Sequence, residues 1–245
     1  MAIFHFDDGP ESGVKWGRRD AIMLNNKPVP YPVPPASRPW DARLARRLVA
    51  PLIDSWVTPN HLTTLRLGVG LAAAAAFIPG SYGWSNIAAL LLILSNFLDH
   101  TDGELARLSG KTSRIGHLYD LASDAAVTIL LFAAIGVGVA SKPGSDLTVP
   151  PAILGLVAGT AIALIFYLRM RIEELLGKAA TQQASLGGFE TEDVLYLLPL
   201  ATLSNALVPM LVAASICAPL YAIWVVIDYQ RVLRRDRRMV TGVAG

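Results

Sequence analysis

From Val194 to Ile227 the chain runs without a single charged residue, and a stretch of that length and character is unsuited to a water-facing surface. A membrane helix needs ~20 apolar residues, so the run is too long for one span. Ser204-Asn205 and Pro209 divide it in two. Four apolar segments precede it, at Leu62 to Ile78, Trp84 to Leu98, Leu118 to Ala140 and Val149 to Leu168, and the division adds Val194 to Leu207 and Pro209 to Ile227. The expected fold is an all-α membrane protein with six transmembrane helices. Composition agrees, since 53% of residues are hydrophobic and only 16% charged, against about 45–50% and 25% in soluble domains.

Charge fixes the expected orientation. The connections after the second and fourth segments carry Arg107, Lys111 and Arg114, then Arg169, Arg171 and Lys178, and the tail reads RVLRRDRR; the other three connections hold only Lys142 and Asp146. Basic loops stay in the cytoplasm, so both termini are expected there, in a multi-pass protein of the cell membrane. The net charge of +2 is too small to argue for nucleic acid. The first twenty residues contain no apolar core, and no cleavable signal peptide is expected. Cys217, the one cysteine, sits in an apolar run and reads as packing.

Residues 1–38 form a polar arm rich in proline, a composition that favours irregular backbone. Residues 39–57 place Trp40, Leu44, Leu48 and Leu52 four apart, with Arg43, Arg46 and Arg47 elsewhere around the turn. This predicts an N-terminal amphipathic helix lying in the membrane interface; docking on a soluble partner is the other reading of the same pattern. Thr58 and Pro59 supply an N-cap and a first helical position, opening a transmembrane domain over 58–230. A basic tail over 231–245 completes the chain.

The chemistry is concentrated between Asp99 and Asp124. Asp99 and Asp102 are three apart and Asp120 and Asp124 four apart, so on helices each pair shares one face. Two such faces turned together make an oxygen cage suited to Mg²⁺, Mn²⁺ or Ca²⁺ rather than to zinc. Acids inside a membrane can be packing partners, but several buried together cost several kcal/mol each unless cations offset them. Gly103, Ala106, Arg107, Lys111, Arg114 and Gly116 lie between the pairs. Small residues allow close backbone approach and the basic ones neutralise phosphate, so this segment reads as a phosphate-binding stretch.

The series Asp99, Asp102-Gly103, Ala106-Arg107, Gly116, Asp120 and Asp124 fills, at the right spacing, all eight positions of a signature that it resembles, that of the CDP-alcohol phosphotransferase (CDP-alcohol phosphatidyltransferase) family. Pro59-Asn60 with Thr63 and Arg66 is similar to the opening of the first membrane helix there. The resemblance covers roughly residues 58–230. It implies transfer of a substituted phosphate from a CDP-linked donor to an acceptor hydroxyl with release of CMP. It further implies that Asp99, Asp102 and Asp120 are metal ligands, that Asp124 is a ligand or the general base, and that Gly103, Ala106, Arg107 and Gly116 line the nucleotide site. Thr63 and Arg66 are candidates to join it, with snorkelling as the other reading of Arg66.

Two Mg²⁺ or Mn²⁺ ions are the implied cofactors. Partners are a CDP-linked donor, a hydroxyl acceptor and membrane lipids, with no nucleic acid; a homodimer is left open. CDP-diacylglycerol is the first choice of donor, in phospholipid biosynthesis. Glu104-Leu105 within DGELAR resembles members that handle inositol phosphates, and Arg114, Arg169 and Arg171 are candidates to hold an acceptor's phosphate. Two alternatives stand: a soluble CDP-alcohol donor with a lipid alcohol acceptor, and a divalent-cation transporter. The absence of visible repeats counts against the second.

Overall fold

The computed structural model describes residues 23–24, 27–28, 40–111, 113–140, 142, 145–176 and 197–242. The chain divides into two units, Met1–Pro39 and Trp40–Gly245. In the first, Met23–Leu24 pairs antiparallel with Lys27–Pro28, and the rest of the proline-rich arm lies outside the described residues.

The second unit is built from helices. α1 spans Trp40–Val49 and gives way to a 3-10 turn at Ala50–Leu52. This is shorter than the expected 39–57, because Pro51 has no N–H to continue the ladder and its ring meets the carbonyl one turn back. Ala45 and Val49 are buried whereas Leu44 and Leu48 are exposed, and α1 packs on the third helix. Half of the expected apolar stripe thus faces away from the protein. α2 runs over Pro59–Phe77, starting where Thr58 and Pro59 indicated. The Thr58 N–H donates to His61 Nδ1 at 3.2 Å, which satisfies a donor that a helix start leaves without an intrahelical partner.

α3 spans Tyr82–Ser109 and continues past the apolar segment through both Asp99 and Asp102 to Arg107. Gly110 stops it in the left-handed conformation, at φ 67°, and donates its N–H to Ala106 O at 3.1 Å; only glycine adopts that cap without strain. Ser113 then caps α4, Arg114–Val139, by accepting the Gly116 N–H at 2.9 Å. α5 covers Pro151–Leu176, α6 Leu197–Leu203 and α7 Leu207–Gly242. The break between α6 and α7 falls at Ser204-Asn205, where Asn205 takes a positive φ of 54° and the Ala206 N–H returns to Ala201 O at 2.8 Å. α7 runs on past residue 231, so its backbone does not break where the basic tail begins.

Among the described residues three helices are long and apolar enough to cross a membrane: Ile115–Val139, Pro151–Leu176 and Leu207–Arg234. The first two expected spans form as helices, but each is apolar over only part of its length. α2 begins with Asn60, His61, Thr63, Thr64 and Arg66, and α3 ends with Asp99, His100, Asp102, Glu104 and Arg107. The polar halves hold the acids and their partners. The fifth expected span is represented by the seven residues of α6, about 10 Å at 1.5 Å per residue; the beginning of that segment is not among the described residues.

The core joins α2, α3, α4, α6 and α7 through Phe77, Leu92, Leu131, Ile135, Leu198 and Leu211. A second cluster ties α5 to α7 through Ile165, Leu168, Ile172 and Val225. α4 and α5 approach at backbone level: a β-carbon built on Gly155 would lie 2.1 Å from Phe132 O, and one on Gly159 would lie 2.9 Å from Ile129 Cα. The two glycines are four apart, the small-residue spacing that lets membrane helices meet closely. Outward positions such as Leu90, Leu156, Leu200 and Leu220 are apolar and exposed, a surface suited to lipid rather than water.

Candidate active site

α2 packs against both α3 and α4, and the polar halves of these three helices supply the site. Arg66, on the second turn of α2, is buried with only 5% of its surface exposed. Its Nη1 bonds Asp99 Oδ1 on α3 and Asp124 Oδ1 on α4, and its Nη2 donates to Asp120 Oδ1 at 2.9 Å. Ser95 fixes the helix beneath it by donating to the Arg66 carbonyl at 3.2 Å. The acids themselves stay half-open, with side chains 36 to 46% exposed.

Each of Asp99, Asp120 and Asp124 offers an oxygen within 4.8 Å of the others. Like charges so close repel, and one guanidinium faces three carboxylates, so the group attracts further positive charge. The donors are all carboxylate oxygens, which fit a hard divalent cation such as Mg²⁺ or Mn²⁺. Asp102 lies outside this trio. It is buried, and its Oδ2 accepts the Thr63 hydroxyl at 2.8 Å while Thr63 also reaches Pro59 O at 3.2 Å. The structure therefore brings three of the four acids together on Arg66 and joins the fourth to Thr63.

Gly103 and Ala106 lie on the stretch of α3 that follows Asp102. Arg107 is two-thirds exposed and bonds Glu104, which is buried. Gly116 sits in the first turn of α4, where a β-carbon would stand 2.7 Å from Asn60 Oδ1 and 3.0 Å from Ser113 Oγ. A bare α-carbon lets the Asn60 amide lie against this turn, which links the opening of α2 to the glycine of the signature.

Arg169 and Arg171 leave the site's centre to Arg66. Arg169 bonds the Tyr221 hydroxyl, and its guanidinium lies 5.7 and 5.8 Å from the ring centres of Tyr221 and Trp224, so it ties α5 to α7. Arg171 pairs with Glu174, whose carboxylate is 3.6 Å from His117, one turn before Asp120. His117 and Glu174 are the neighbours that the sequence reading missed. No spacing signal marks His117 and Glu174, because they meet only through the crossing of α4 and α5.

The model of the CDP-alcohol phosphatidyltransferase family matches residues 56–229. Cholinephosphotransferase 1 of Danio rerio is 34% identical over 92 residues, 34% of this chain and 24% of that protein. The CDP-diacylglycerol–glycerol-3-phosphate 3-phosphatidyltransferase of Cereibacter sphaeroides is 36% identical over 77 residues, 31% of this chain and 35% of that protein. The chain thus aligns with about a quarter to a third of the length of these curated relatives. Among solved structures, Mycobacterium tuberculosis phosphatidylinositol phosphate synthase with CDP-DAG bound shares the fold, at a TM-score of 0.53 and 22% identity over 79% of this chain and 94% of that one. The same protein in complex with manganese and citrate gives a TM-score of 0.50 at 22% identity, over 80% and 88%. The matched stretch contains α2 to α6 and the whole trio of acids around Arg66, and on that match this chain belongs to the CDP-alcohol phosphatidyltransferase family.

Proposed function

We propose that this chain transfers a substituted phosphate from a CDP-linked alcohol, CDP-diacylglycerol foremost, to an acceptor hydroxyl, releasing CMP in phospholipid synthesis. The observation that carries this reading is the convergence of Asp99, Asp120 and Asp124 on Arg66, within the stretch that the family model matches. The Mycobacterium tuberculosis relative has CDP-DAG bound in one structure and manganese in another, which supports the same donor and a divalent metal here.

Asp99 and Asp120, with Asp102 beside them, are the residues that would hold Mg²⁺ or Mn²⁺, two ions by family resemblance, and Asp124 completes the trio as the base. Such ions, when bound, offset the charge that builds on the diphosphate as it is cleaved. The chain's own residues do the rest. Arg107 and the first turn of α4 at Gly116 hold the diphosphate end of the donor, and Thr63 fixes the Asp102 carboxylate through its hydroxyl. The acceptor oxygen bonds to the phosphorus that carries the donor alcohol, the bond from that phosphorus to the bridging oxygen breaks, and CMP leaves with the electron pair. Asp124 takes the acceptor's proton. Most of the catalysis is positioning and charge.

The acceptor is proposed to be a polyol phosphate such as an inositol phosphate. Arg171 supports this, since the Glu174 that it pairs with also approaches His117 at the acid end of α4; Arg114, at the start of α4, is a second candidate. The cholinephosphotransferase match favours the other arrangement, a soluble CDP-alcohol donor with a lipid alcohol acceptor. A cation-transport role is disfavoured by the absence of a visible repeat between the halves of the sequence. We place six spans in the bilayer, with α1 in the interface and both ends in the cytoplasm.

The test is CMP release from a panel of CDP-alcohols by the purified protein with Mg²⁺ or Mn²⁺. Metal-dependent CMP release that needs both a lipid donor and a hydroxyl acceptor is expected. No release from any CDP-alcohol, with cation uptake into proteoliposomes instead, would overturn the reading.

A further inference from the structure

Glu104 is an acid that the signature does not use, yet only 3% of its side chain is exposed. A carboxylate buried at the polar end of a membrane helix is costly unless a cation answers it. Arg107, one turn on, answers it twice: Nε donates to Glu104 Oε2 at 3.0 Å and Nη2 lies 2.9 Å from the same oxygen. The burial is one-sided. Arg107 keeps 67% of its side chain exposed, so the acid is sunk into the helix packing while the guanidinium stays at the surface. Its Nη2 lies 3.9 Å from the position where a Gly103 β-carbon would be, which folds the side chain back along α3 toward the acids instead of out into the following loop.

We infer that Glu104 is a positioning residue: it grips one edge of the Arg107 guanidinium and presents the opposite edge, with fixed orientation, to the diphosphate of the donor. The inference rests on the reading of Arg107 as a donor contact. An arginine has several rotatable bonds, and holding it still before the ligand arrives lowers the entropy that binding must give up. The grip also needs both charge and fork geometry, since a charged acceptor strengthens the bonds and only arginine offers two adjacent N–H groups on one edge. Glu104 touches no reacting atom.

The experiment measures CDP-diacylglycerol binding by calorimetry, and KM and kcat by CMP release, on the full chain in detergent micelles with Mn²⁺. Glu104→Gln keeps the shape and loses the charge, Arg107→Ala removes the contact, and the double variant closes a cycle. Glu104→Gln is expected to weaken donor binding and raise donor KM about tenfold with kcat changed less than twofold, the pattern of lost uniform binding. In the Arg107→Ala background the same change is expected to add less than twofold. Arg107→Lys, which keeps a cation beside the buried Glu104 carboxylate but loses the fork, should behave like Glu104→Gln. Equal weakening by Glu104→Gln with and without Arg107, or an unchanged donor KM in Glu104→Gln, overturns the inference. If the unaltered protein binds no CDP-diacylglycerol and releases no CMP from it, the underlying reading of the donor fails first, and that result is distinct from either.

Discussion

Arg66 on α2 is ion-paired with Asp124 on α4, 58 positions later in the chain, and the same guanidinium reaches Asp99 and Asp120. One buried cation thus allows three carboxylates from two other helices to converge. Arg66→Met would keep the stem and delete the charge. Breaking a fully buried pair costs about 3–5 kcal/mol; with the acids half-open, a loss of about 2 kcal/mol is expected when EDTA removes divalent cations. Mn²⁺ should restore most of it, because a bound cation takes over the neutralising role. Thermal unfolding in detergent with EDTA or Mn²⁺ checks this, and equal stability of the variant and the parent in EDTA would show that the acids do not rely on Arg66.

The α4–α5 contact makes a second expectation. A β-carbon on Gly155 would fall 2.1 Å from a backbone oxygen, that of Phe132, and backbone cannot move aside as a flexible side chain can. Gly155→Ala should cost ~2 kcal/mol or more by forcing the helices apart. Gly68→Ala on α2, where nothing lies within 4 Å, should be neutral or stabilise by up to ~1 kcal/mol through helix propensity. Comparing the two melting temperatures separates close packing from glycine's general effect on helices.

Much of this arrangement was legible in the sequence, and the limits are physical. The acids' spacing put each pair on one helix face, and Thr58-Pro59 and Ser204-Asn205 marked a helix start and a break, because these signals are local. Arg66 was read either as a nucleotide contact or as a snorkelling side chain; its role among the acids needs α2 to cross both α3 and α4, a relation no spacing encodes. Thr63's bond to Asp102 and the approach of Glu174 to His117 were hidden for the same reason. Glu104 is different: its bond to Arg107 is three residues long and could have been read as a helix-face pair, but nothing local shows which member is buried. The extent of α1 was overestimated because the apolar stripe continued past Pro51 while the helix could not.

Orientation can be tested directly. Thr148 is exposed in the connection between α4 and α5, whereas neighbouring Ser145 is buried with its hydroxyl on Ala140 O and Lys142 O, so Thr148 is the better site for a label. In a Cys217→Ser background, needed because Cys217 is exposed, Thr148→Cys should react with an impermeant maleimide only from outside the cell. Arg47→Cys on α1, also exposed, should react only from the cytoplasmic side. The opposite pattern would reverse the proposed topology.

Asp124 distinguishes a metal ligand from a base. It lies one turn beyond Asp120 on α4, about 6 Å further along the axis at 1.5 Å per residue, and shares Arg66 with Asp99 and Asp120. An acid at this depth can hold the acceptor hydroxyl while its neighbours Asp99 and Asp120 hold the metal. Asp124→Asn retains an oxygen for Arg66 but cannot accept the proton, so turnover is expected to fall by ~10² to 10⁴, the usual contribution of a positioned base. Mn²⁺ and CDP-donor affinities should stay within about threefold, since the proposed ligands Asp99 and Asp120 remain. Asp120→Asn should do the reverse, weakening Mn²⁺ binding at least as much as it slows turnover. Spin-resonance titration of Mn²⁺ alongside kcat on both variants reads the two roles separately: if Asp124→Asn loses Mn²⁺ as readily as Asp120→Asn, Asp124 is a metal ligand first and the proton must leave the acceptor by another route.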